Sequence, residues 1–294
     1  MSQATAQLLE DVSRDFIPEN ELVWSDGVPL DTIWHRKQIN LAADVLEEAL
    51  AERGVHDGFV GGNMFVYYSA EQARAIAEEV RQMTLFGDAE VDVAAGPSGR
   101  KPFKGPDVFV VTGGVKPRRR RVWVSWLEGG RLPDLVIELQ SKSTADVDAV
   151  EKRKLYSEVF KTREYFYYGA DEPDLGEHRD KLVGLRLNAD GVYEPIEPDE
   201  RGWMWSEVLE LYVGRWDGRY DREDHRWLRL YDAGGRLIPT EAEHERRLRE
   251  EERRLREAAQ QRAEDERRQK EAAMAEVLRL RELLAAKGPE RDGS

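Results

Sequence analysis

Between residues 29 and 54 the apolar positions Ile33, Leu41, Val45, Leu46 and Leu50 recur at helical spacing, and Arg53-Gly54 closes the run. This period predicts an amphipathic helix. Phe59 to Tyr68 then reads as a strand entered through the glycine bend Gly61-Gly62. Ser69-Ala70-Glu71-Gln72 fits a capping box, with Ser at the cap and Gln three positions on, which predicts a helix to about Met83. Apolar runs predict strands at 107–112, 121–127 and 134–140, and the basic stretch 116–121 forms a turn after the first.

The run Pro133-Asp134-Leu135-Val136-Ile137-Glu138-Leu139-Gln140 is an apolar strand pattern with an acid in its middle. Strand side chains alternate, so Asp134, Val136, Glu138 and Gln140 share one face and Leu135, Ile137 and Leu139 the other. A carboxylate in such a strand is costly unless it is paired, protonated or bound to a metal.

Ser143-Thr144-Ala145-Asp146 caps a further predicted helix, roughly 145–161. In it Asp148, Lys152 and Tyr156 form one polar stripe, and Val147, Val150 and Val159 supply apolar positions elsewhere. Glu164 to Gly169 is an aromatic strand, and shorter strands and turns fill 181–238. The order predicts a mixed sheet flanked by helices, in an α/β (α+β) domain covering 1–239.

From about Thr240 the pattern changes. Glu, Arg, Ala and Gln dominate, with neither Gly nor Pro until Gly288, so 240–287 reads as a charged helical tail and 288–294 as a disordered C-terminus. Leu248 and Leu255 stand alone among charges. Ala273, Val277, Leu280 and Leu284 fall at 4-3-4 spacing, which leaves a homodimeric coiled coil and a solvated single helix equally open.

Composition narrows the function classes. The 294 residues contain no cysteine, which excludes disulfides, thiolate zinc sites and a cysteine nucleophile. There is no long apolar run and the N-terminus carries acids, so a soluble cytoplasmic protein with no membrane partner is expected. Net charge is −14. Nearly all the excess acid lies in residues 1–240, which argues mildly against tight nonspecific DNA binding. Lys116, Arg118, Arg119, Arg120 and Arg121 form the local basic patch, read equally as a solvated turn or as a nucleic-acid contact.

Two carboxylates on neighbouring strands suit a divalent cation, and magnesium needs only one or two while keeping several waters. Asp107 and Glu138 meet that need if their strands are adjacent. Gln140 shares the Glu138 face and could orient water, but an amide is no general base. Lys152, reaching from the following helix, could stabilise the charged transition state. Asp148 could instead make an ordinary ion pair with Lys152. His35, on the first helix, could approach the site, although a lone helix histidine is more commonly a surface or packing residue.

Gly105-Pro106-Asp107-Val108-Phe109-Val110-Val111, Pro133-Asp134-Leu135-Val136-Ile137-Glu138, Ser141-Lys142-Ser143-Thr144, the Asp148/Lys152 pair, Tyr156 and Glu164-Tyr165-Phe166 occur in this order. Together they resemble the Uma2 family (DUF820). Gly61-Gly62-Asn63-Met64-Phe65-Val66-Tyr67-Tyr68 and the charged C-terminal helix resemble its cyanobacterial-type branch. The resemblance covers most of 30–285 and implies a PD-(D/E)XK restriction-endonuclease-like core. It makes Asp107 and Glu138 the metal-binding acids. Gln140 stands where the family's signature lysine is expected, which leaves Lys152, or Lys142 as the rival, to supply the ammonium.

The expected function is therefore a Mg2+- or Mn2+-dependent DNA endonuclease, with RNA left open as a substrate and a homodimer left open through either the nuclease domain or the C-terminal helix. Asp107, Glu138, Gln140 and Lys152 would be catalytic, with Asp148 and Tyr156 supporting. The rivals are a catalytically lapsed nuclease fold that works as an interaction module through its tail, and a hydrolase of a smaller phosphoester.

Overall fold

The structure is a computed structural model. It describes residues 32–70, 103–140, 147–171 and 173–286, together with Leu22, Trp24 and Ala73. The chain divides into two units, Met1–Thr240 and Glu241–Ser294.

Helix α1 spans Ile33–Glu52. Thr32 caps it, its side chain accepting from the backbone N–H of His35. Leu41, Val45, Leu46 and Leu50 are buried as the period predicts, but Ile33 is 62% exposed. The helix begins there, and the first turn buries Trp34 and His35 instead.

The expected strand 59–68 is two strands. Strand β1 (Phe59–Gly62) ends at Asn63, whose φ of 46° lies in the left-handed region and breaks the extended path. Strand β2 (Val66–Tyr67) then joins a different, three-stranded sheet between β3 (Phe103–Lys104) and β5 (Trp123–Val124). Gly61 is no bend residue. It lies within β1, where an added Cβ would overlap the Phe109 ring, so its lack of a side chain permits close approach. The expected strand at 121–127 shrinks to β5, because Ser125–Leu127 turns into a 3-10 helix. The capping box and the helix it predicts lie, apart from Ser69, Ala70 and Ala73, outside the described residues.

The main sheet has six strands in the order β1, β4 (Val108–Val111), β6 (Leu135–Gln140), β7 (Glu164–Gly169), β8 (Leu182–Leu187) and β9 (Tyr193–Pro195). β4 pairs antiparallel with β6, and β6 parallel with β7. The sheet is mixed, as expected. All six residues of β6 are buried, because both faces of this central strand are covered. Leu135, Ile137 and Leu139 pack with α1 and with the hairpin strands β11 (Leu211–Tyr220) and β12 (Glu223–Tyr231). Val136 joins Phe109, Tyr156, Phe160 and Tyr165 on the other side. β10 (Met204–Ser206) completes the hairpin sheet.

The connection from β6 to β7 carries α2 (Val147–Leu155), which widens into a π-helical turn at Tyr156–Phe160. Val159, expected to be apolar packing, is 48% exposed, while Tyr156 and Phe160 are the residues that turn inward. Helix α3 (Glu241–Ala286) forms the second unit, and every residue from 245 to 283 is exposed. Among the described residues no helix is long and apolar enough to cross a membrane.

Candidate active site

Two strands, two helices and one register place the acids. Val108 pairs with Ile137 in the antiparallel β4–β6 ladder, so one step further sets Asp107 opposite Glu138 on the same face. The two Pro-Asp motifs separate here. Asp107 joins the site, whereas Asp134 accepts from Thr112 through both its backbone N–H (2.8 Å) and its hydroxyl (2.9 Å), and so ties the end of β4 to the start of β6.

Glu138 is 4% exposed. Lys152 Nζ donates to its Oε2 at 3.0 Å and the Tyr156 hydroxyl donates to its Oε1 at 2.6 Å. Burial is the largest influence and pushes the Glu138 carboxyl up. Lys152 opposes that rise, the Asp107 charge adds to it, and the Tyr156 and Lys152 hydrogen bonds oppose it, leaving the group at about 7. Tyr156 is itself pushed well above the usual phenol range, by burial first and then by the Glu138 charge.

Asp107 is held at both oxygens. His35 Nε2 lies 2.8 Å from Oδ1, and the Leu139 backbone N–H donates to Oδ2 at 2.7 Å. His35 does approach the acids, rather than serving only as the surface or packing residue that a lone helix histidine more commonly is. Its signal in the sequence was weak, because the contact spans 72 positions and depends on where α1 begins.

Gln140 lies two residues beyond Glu138 on the same face and is 9% exposed. Its side-chain carbonyl oxygen is buried and finds no hydrogen-bond partner among the described residues. Asp148 lies in α2, but its side chain is outside the described residues, as is the whole of Lys142.

The basic turn is divided. Arg118 and Arg120 both grip the buried Glu128, at 2.6 and 2.8 Å, and the Arg120 guanidinium also lies over Phe59 and Trp123. Burial would raise the Glu128 carboxyl, but its hydrogen bonds to Arg120 and Arg118 hold it below the usual range. Lys116, Arg119 and Arg121 are exposed, the last with its guanidinium over Trp24. A second basic group lies in the last turn of α2, where Arg153 and Lys154 follow Lys152 and are exposed.

Among the described residues no group of three or more His, Asp or Glu side chains forms a closed metal cage. The donor set fits a less demanding cation. Two acids of like charge face each other, and their repulsion helps to raise Glu138, a condition that a divalent ion relieves.

A family model for Uma2, described as "putative restriction endonuclease", matches residues 28–218. The chain belongs to the Uma2 family. The match spans more than half of its length and takes in every element that builds the site. Among solved structures, the chain is similar to a DUF820 "putative nuclease" from Anabaena variabilis ATCC 29413. That similarity is at 14% identity over 65% of this chain and 85% of the other, with a TM-score of 0.35. No curated protein matches. The architecture of this Uma2 chain is mixed α/β, with mixed sheets and a long C-terminal helix.

Proposed function

We propose that this Uma2 protein is a Mg2+- or Mn2+-dependent endonuclease that hydrolyses phosphodiester bonds in DNA. The observation that carries this reading is the Asp107–Glu138 pair, set opposite one another by the β4–β6 register with Lys152 on Glu138. Asp107 and Glu138 would hold the cation, which when bound supplies Lewis acidity to the scissile phosphate and charge for the leaving oxygen. Lys152 stabilises the negative charge that develops on the phosphate. Asp148 positions Lys152, and Tyr156 holds Glu138. The Gln140 carbonyl oxygen, buried and without a partner among the described residues, accepts a hydrogen bond from the attacking water. Lys116, Arg119 and Arg121, with Arg153 and Lys154 from α2, contact backbone phosphates.

A second copy of the chain is the proposed protein partner, through α3. Met274, Val277, Leu278, Leu280 and Leu283 are each at least 50% exposed and cluster near one end of that helix. Parallel pairing would put Val277 and Leu280 in the seam and set Glu276 of one copy opposite Arg281 of the other. The same exposed cluster favours the second reading, a lapsed nuclease fold acting through its tail.

Nicking of supercoiled plasmid with Mn2+ tests the choice. Cleavage by wild type that Asp107→Ala and Glu138→Ala both abolish supports the nuclease. Cleavage that survives both substitutions rejects this site, and no cleavage by any variant favours the tail-driven module.

A further inference from the structure

We propose that His35 is a positioning residue of this site: from α1 it fixes the orientation of the Asp107 carboxylate, so that Asp107 and Glu138 present their oxygens to one cation. This rests on the metal-dependent reading above.

The placement begins with the N-cap. Thr32 has extended dihedrals (φ −139°, ψ 162°), and its hydroxyl oxygen accepts from the His35 backbone N–H at 3.1 Å. That bond fixes the first turn of the helix and hence the origin of the imidazole. Neighbouring Trp34 packs against Tyr168, with ring centroids 5.8 Å apart, and holds the same turn against the sheet. The His35 ring is then directed at Asp107, with side-chain exposures of only 10% and 14%.

A carboxylate oxygen accepts and cannot donate, so the proton of this 2.8 Å contact is on His35 Nε2. Asp107 Oδ2 takes its hydrogen bond from Leu139, the residue directly after Glu138. Donors from a helix and from the central strand therefore hold the two ends of one carboxylate, and rotation about its Cβ–Cγ bond is blocked. Each oxygen keeps a second acceptor direction, so a cation can bind without breaking either bond. A histidine that only filled space would need no polar partner 72 residues away.

Loss of an orienting hydrogen bond beside a metal ligand typically weakens metal binding about 10–100-fold. The experiment is calorimetric titration of Mn2+ into the full chain, comparing wild type with His35→Ala and His35→Gln. The glutamine keeps an N–H donor at similar reach. His35→Ala should bind Mn2+ about 10–100-fold more weakly, while His35→Gln should recover most of that loss. If folded His35→Ala binds as tightly as wild type, the positioning role is overturned and the metal reading stands. If His35→Ala does not fold, His35→Gln decides. Retained affinity supports the donor, and a folded variant that has lost affinity rejects it. Wild type that takes up no Mn2+ overturns the positioning role together with the metal-dependent reading, and is recognised because no substitution is needed to see it.

Discussion

Tyr156 reaches Glu138 across a change of helix type. The α-helix that presents Lys152 gives way at Tyr156 to a π-helical turn, and the hydroxyl arrives 2.6 Å from Glu138 Oε1 while Lys152 occupies Oε2. Widened turns of this kind are uncommon and are found mostly at functional sites. Here one segment delivers two donors to one buried acid. Tyr156→Phe should destabilise the fold by about 1–3 kcal/mol, because a buried carboxylate loses a hydrogen bond. Urea denaturation measures the loss.

Glu138 sets a pH dependence. Its carboxyl rises from 4.5 to about 7 on folding. The stability linked to the protonated acid is fully present below about 4.5 and is lost as pH climbs through about 7. Wild type should lose up to about 3 kcal/mol across that window relative to Glu138→Gln, which cannot ionise. Thermal unfolding of both proteins across the window checks this, and a difference that stays flat with pH contradicts it.

Lys152 opposes the rise in the Glu138 carboxyl, so Lys152→Met should move that carboxyl further up. If the ammonium also stabilises the phosphate in the transition state, kcat for plasmid nicking should fall about 10²–10³-fold. Single-turnover nicking under saturating Mn2+ separates that loss from weaker metal binding.

The two halves of the basic turn should respond differently. Arg120 is an interior residue, 3% exposed at the side chain and paired with Glu128, so Arg120→Ala should cost about 1–3 kcal/mol, because the buried carboxylate loses one guanidinium and keeps only Arg118. Exposed Arg119→Ala should change stability by less than about 0.5 kcal/mol. If it contacts phosphate, its loss should lower the salt dependence of DNA binding by about one ion. Chemical denaturation and a salt titration of DNA affinity read the two effects.

Replacing Val277 and Leu280 together with Glu should halve the mass seen by light scattering if α3 pairs two copies, because it puts charges into the seam. An unchanged mass would reject pairing through this helix.

Much of the candidate site's arrangement could be read from the sequence, because its signals are local. Acids inside an apolar strand pattern marked Asp107 and Glu138, and the four-residue spacing of Lys152 and Tyr156 gave them one helical face. Ile33 and Val159 broke the same logic at helix ends, where periodicity says nothing about which turn is covered. Phe59 to Tyr68 broke it at Asn63, because a residue with positive φ ends a strand without any change in hydrophobic pattern.

The sequence by itself determined the strand and helix periods, the charged tail and the order of motifs that marks the Uma2 family. These depend on residues a few positions apart. Only the tertiary structure decided that His35 meets Asp107, that Arg120 turns inward to Glu128 while Arg119 stays outside, and that Gln140 keeps a buried oxygen without a partner among the described residues. Those outcomes depend on strand register, on where a helix starts and on how far each side chain leaves water, and no local pattern encodes them.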